Sequence, residues 1–102
     1  MFFDTREGLV VVLGCGHAGV VNTLEHIRRI IRDLPIRAII GGLHLLNASP
    51  ARVDKTLEAL RRWNVRQIIP GHCTGVAAVA WLWTAFPGRC RSCATGTRLA
   101  FA

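Results

Sequence analysis

The sequence has no apolar run long enough to cross a bilayer. Its longest, Val76 to Phe86, is interrupted only by Thr84 and falls short of the roughly 20 residues a spanning helix needs. The opening Met1-Phe2-Phe3-Asp4 has neither a basic stretch nor a long apolar core, so no secretory leader is expected. Acidic residues are scarce, with 6 Asp and Glu against 13 Lys and Arg, a formal net charge of +7. No aromatic residues interleave the basic ones in the manner of a base-stacking surface, so nucleic acid is not an expected partner. There is no low-complexity segment and no linker. Only one Cys-x-x-C pair, Cys90 and Cys93, occurs; without a second pair it is a weak zinc or redox signal. With no leader, the expected compartment is the cytoplasm, and the four cysteines are expected to be reduced there.

What is present is apolar and periodic. The 102 residues are 51% hydrophobic, which excludes global disorder and bounds the chain to one domain or part of one. Most of the charge is arginine on segments that also carry acids. Arg28, Arg29 and Arg32 accompany Glu25 and Asp33, and Arg61 and Arg62 accompany Asp54 and Glu58; such mixed-sign faces are usually solvated helix surfaces.

Leu9 to Leu13 predicts a buried strand, with the tail of a hairpin before it at residues 2–4. Residues 18–33 predict a helix whose stripe is Val20, Leu24, Ile27 and Ile31. Leu34-Pro35 ends it, because proline disfavours helix at the residue before it. Ile36 to Ile40 predicts a second strand. Ser49-Pro50 starts a helix with a capping hydroxyl and proline at its first position. Val65 to Ile69 predicts a third strand. A third helix from Thr74 or Gly75 to Phe86 is apolar nearly all round and is expected to be deeply buried. Thr97 to Phe101 is read as a final strand. The order β-β-α-β-α-β-α-β argues for an α/β layer fold with parallel central strands.

Three of the four histidines recur at equivalent places. His17, His44 and His72 each follow a strand and a glycine and precede a helix, at separations of 27 and 28 residues. In a parallel sheet the carboxyl ends of the strands share one edge, where open α/β sheets bind ligands. Three imidazoles can converge there as ligands for zinc, iron or copper, and a metal held with an open position activates water. His26, mid-helix beside Glu25, is read as solvent-facing. Cys15 and Cys73 flank the candidate ligands, either as soft ligands or as small residues packing under the loops; packing is the favoured reading. Gly14-Cys15-Gly16-His17-Ala18-Gly19 also matches G-x-G-x-x-G. A nucleotide-binding βα domain using Gly14, Gly16 and Gly19 is therefore an alternative. Against it, the second strand ends in Ile40-Gly41-Gly42 without the acidic residue that motif requires.

The segments around these histidines resemble a known group. Gly14-Cys15-Gly16-His17-Ala18-Gly19, Gly41-Gly42-Leu43-His44-Leu45 and Pro70-Gly71-His72-Cys73-Thr74-Gly75 occur in its order, with Gly96-Thr97-Arg98 near the end. The group is the metallo-β-lactamase-fold metallo-hydrolases, 7,8-dihydropterin-6-yl-methyl-4-(β-D-ribofuranosyl)aminobenzene-5′-phosphate synthase-like subgroup. The resemblance implies the C-terminal half of an αββα sandwich, with residues 1–102 a single partial domain. It implies His17 and His72 as metal ligands and His44 as a further ligand or a substrate contact; no catalytic residue is assigned. It implies a divalent metal, zinc foremost, with one or two ions in a complete enzyme. It implies a small-molecule substrate, with phosphorylated compounds among the candidates. The group's His-x-His-x-Asp-His motif is missing from these residues, and Gly16 replaces a serine. The chain alone is therefore expected to be a weak or inactive hydrolase. One sheet face should be left bare for an N-terminal-half chain or a second copy, so a non-catalytic pairing fragment is a further alternative. No membrane association is expected.

Overall fold

A computed structural model describes all of residues 1–102. It contains a four-stranded sheet, β1 (Phe2–Thr5), β2 (Gly8–Leu13), β3 (Ile36–Gly41) and β4 (Gln67–Pro70), and three α-helices, α1 (Val20–Ile30), α2 (Pro50–Arg62) and α3 (Val76–Ala85). Spatial order follows chain order. β1 and β2 form the antiparallel hairpin, and β2, β3 and β4 run parallel. Each parallel pair is joined through a helix, as such connections require. No helix is long and apolar enough to cross a membrane.

One layer of helices covers one sheet face. Leu9 and Val11 of β2, Ile36 and Ile39 of β3 and Ile68 of β4 share a buried cluster with Val20, Leu24 and Ile27 of α1, Leu60 of α2 and Ala78 and Leu82 of α3. Val10, Ala38 and Ile69 point the other way into a second cluster, the alternation a pleated strand imposes. The β2–β3 register pairs Leu9 with Ile36 but Val10 with Ala38. Arg37 is thus the extra residue of a bulge, which lets Ile36 and Ile39 face the same layer although an odd number of residues apart.

Helix boundaries follow local chemistry. Ser49 caps α2, its hydroxyl accepting from the Arg52 N–H at 3.2 Å, with Pro50 first in the helix. α1 is shorter than its apolar stripe: it begins after Gly19 and ends at Ile30. Ile31 is already extended, and the Arg28 guanidinium donates to the carbonyls of Arg32 and Leu34, binding the segment that leaves the helix. A 3-10 turn, His72–Thr74, separates β4 from α3.

Three expectations are corrected. α3 is not deeply buried: only Ala78 and Leu82 are inside, whereas Val76 is 89% exposed and Trp81 and Trp83 nearly half so. Its composition is apolar all round, but only one side meets the sheet. Residues 97–101 form no strand. Instead Cys90 bridges in parallel to Ile68, with the Ile68 N–H donating to the Arg89 carbonyl and the Arg91 N–H to the Ile68 carbonyl. The second sheet face is not bare either, because Leu99 and Phe101 pack on Val10, Ala38 and Ile69, all fully buried. The guanidinium of Arg37 stacks 5.0 Å above the Phe101 ring and pairs with Glu7 at 2.8 Å, tying that segment to the bulge.

Candidate metal centre

The loops after β2, β3 and β4 meet at the carboxyl edge of the sheet. β3 lies between the other two, so the loops carrying Cys15 and Cys73 must close over its end. They can do so because residues 41 and 42 have no side chains. Gly41 adopts φ +116°, and a Cβ there would collide with the Leu13 carbonyl oxygen. A Cβ on Gly42 would lie 2.5 Å from Sγ of Cys73 and 2.7 Å from the carbonyl oxygen of Gly14. The Gly42 N–H donates to Gly14 and the Gly71 N–H to Gly41, stitching all three loops together.

The closure places Sγ of Cys15, a ring nitrogen of His72 and Sγ of Cys73 within 4.8 Å of one another. Cys15 Sγ and His72 Nε2 are 3.0 Å apart. The Cys73 thiol donates to the Cys15 carbonyl at 3.1 Å and accepts the His44 N–H at 3.3 Å. Below it, the fully buried Thr74 hydroxyl accepts the Leu43 N–H at 3.2 Å. His72 is exposed and the two cysteines are half-buried. The donor set contains two sulfurs, one imidazole nitrogen and no carboxylate, which fits a borderline or soft cation such as zinc rather than magnesium or calcium.

The other two loop histidines form a separate pair. His17 and His44 have ring centroids 4.5 Å apart with a 50° tilt. His17 is exposed and His44 half-buried. His44 takes φ +51°, a left-handed conformation for a residue with a side chain; such conformations cluster at functional sites. The sequence thus places all three histidines on one edge, while the side chains sort into His17 with His44 and His72 with the two cysteines. His26 is exposed on α1.

Cys15 and Cys73, read as packing residues, do pack: Cys73 fills the space above Gly42. They also gather with His72 as potential donors, and their adjacency to the strand-end histidines was the available signal. All four cysteines are free. Cys90 is buried and Cys93 exposed, and burial pushes the Cys90 thiol above its ordinary value of 9.0. A cavity of about 480 Å³ opens beside His72, lined by Leu46, Pro70, Val76, Val79 and Cys93 among others.

No family model matches the chain. Its sequence is 39% identical over 74 residues, 72% of the chain, to the 7,8-dihydropterin-6-methyl-4-(β-D-ribofuranosyl)-aminobenzene-5′-phosphate synthase of Methanocaldococcus jannaschii. Its fold matches the crystal structure of a metal-dependent hydrolase of the β-lactamase superfamily with a TM-score of 0.92, 35% identity and 99% of the chain covered. The chain spans 25% of the length of the first relative and 39% of the second. The chain therefore has the metallo-β-lactamase fold over the part it spans, and its sequence resembles that of the dihydropterin-ribofuranosylaminobenzene phosphate synthase.

Proposed function

We propose that this chain supplies one side of a divalent-metal centre, zinc foremost, that hydrolyses a small phosphorylated compound. The observation that carries the reading is the meeting of three loops, each with a histidine, at one sheet edge. The similarity to a metal-dependent hydrolase and to a synthase of a phosphorylated pterin compound supports it. His72 and His17 are the proposed ligands. His44, against the His17 ring, is a further ligand or contacts substrate. His17 is exposed, so its ring is free to change rotamer toward a shared cation. When bound, such a cation polarises a substrate oxygen and lowers the pKa of a coordinated water. The cavity beside His72 offers a largely apolar wall for the organic part of a substrate.

Residues 1–102 carry no His-x-His-x-Asp-His segment like that of the group they resemble, and the remaining ligands of the hydrolytic centre are proposed to come from outside them. The isolated chain should turn over a generic phosphoester slowly or not at all; efficient metal-dependent turnover would contradict an incomplete centre. Zinc retained after equilibrium dialysis tests the ligands. The double variant His17→Ala/His72→Ala should lose most of it, and full retention removes the assignment. A pairing role with a second chain is favoured by one specific observation: Leu46, Val76, Trp81 and Trp83 are exposed on or beside α3. A concentration-dependent dimer in sedimentation would support it, and a strict monomer would not.

A further inference from the structure

We propose that Cys15, His72 and Cys73 form a thiolate-rich cation site that needs neither His17 nor His44. The site goes beyond the hydrolytic reading, with which it shares only His72.

Geometry is the first argument. A tetrahedral zinc, with bonds of about 2.3 Å to sulfur and about 2.0 Å to nitrogen, spaces its donors about 3.5 to 3.8 Å apart. The three donor atoms lie within 4.8 Å of one another, with the Cys15–His72 edge at 3.0 Å. The required spacing falls between these values, so small side-chain shifts suffice. Burial is the second argument. The cysteines are half-buried while His72 faces solvent, so the cation is held from below and keeps an open fourth position on the solvent side. Two cysteines and one histidine with one free position make a recognised zinc geometry.

The supporting shell is the third argument. The His44 N–H already points at Cys73 Sγ at 3.3 Å and would stabilise a thiolate there. The absence of a side chain at Gly42 leaves the space that Cys73 Sγ occupies beside the Cys15 backbone. Charge is the fourth. Two thiolates and a neutral imidazole balance a divalent cation, and on binding each thiol releases its proton to solvent. The Cys73 hydrogen bond to the Cys15 carbonyl is surrendered in the exchange.

The test is a titration of the reduced full chain with cobalt(II) under anaerobic conditions, followed by displacement with zinc(II). The expected result is a near-ultraviolet thiolate-to-cobalt charge-transfer band that saturates at one equivalent and is removed by one equivalent of zinc. Cys15→Ser should abolish the band, and Cys73→Ser likewise, each with an unchanged far-ultraviolet circular dichroism spectrum. His17→Ala and His44→Ala should leave it intact. Should Cys73→Ser unfold the chain, Cys15→Ser and thiol counting in the unmodified protein decide. Zinc should protect two of the four thiols from alkylation and leave exposed Cys93 reactive. Cobalt binding without a charge-transfer band, a band that survives Cys15→Ser, or a band lost in His17→Ala would each overturn the proposal. Zinc loss in the double histidine variant with no such band in the unmodified chain would leave the hydrolytic reading standing alone.

Discussion

A methyl group at residue 42 would sit 2.5 Å from Sγ of Cys73 and 3.0 Å from Cα of Cys15. Backbone on one side and a held side chain on the other leave it nowhere to go. Gly42→Ala should cost about 1–3 kcal/mol, the usual range for overpacking, read as a lower urea midpoint. It should also weaken cation binding, because it displaces a donor. Cys90 makes a different prediction. Its buried thiol holds its proton more tightly in the folded chain than in the unfolded one. The resulting stability is full below the ordinary thiol value of 9.0 and is lost as pH rises through the higher folded value. Thermal unfolding should therefore soften on the alkaline side, and Cys90→Ala should flatten that decline. At this scale the sequence was legible where spacing carried the signal: strand, glycine, histidine, three times over. Which side chains would touch was not, because whether His72 faces His17 or Cys15 depends on rotamers and loop closure across β3, which no sequence spacing encodes.

Among the elements, α2 was readable to its first residue because Ser49-Pro50 states both the cap and the start. Ser49→Ala should lower stability by about 1 kcal/mol, measured by thermal unfolding. α1 and α3 were less readable. The stripe of α1 continues to Ile31 in sequence, but the backbone leaves the helix one residue earlier under the pull of Arg28 on the following carbonyls. α3 is apolar on every side, so periodicity cannot say which face is buried. The structure buries Ala78 and Leu82, and the two faces should respond unequally. Leu82→Ala should cost about 2–5 kcal/mol through the cavity it leaves. Trp83→Ser should cost under about 1 kcal/mol and reduce binding of a hydrophobic dye. Equal losses at both positions would contradict this placement of the helix.

Over the whole molecule, helices cover one sheet face and a short irregular segment guards the other. Leu99 and Phe101 lie over Val10, Ala38 and Ile69, and Arg37 clamps Phe101 from the bulge. The layer order was legible through α3, because alternating buried strands and amphipathic helices admit few arrangements. The last segment was not, since Thr97 to Phe101 has strand-like composition, yet its apolar side chains Leu99 and Phe101 lie across the sheet face instead of pairing along an edge. The parallel position beside β4 is taken by Cys90. This arrangement leaves the carboxyl edge of β2, β3 and β4 open, and there the donors of distant loops gather. The most direct test is two-dimensional NMR of the imidazole and amide groups during a zinc titration of the reduced chain. Resonances of residues 15–17 and 72–73 should shift together and saturate at the same equivalent, while His26 on α1 stays unmoved. Independent saturation of the two loops, or shifts no larger than those of His26, would show that they share no cation.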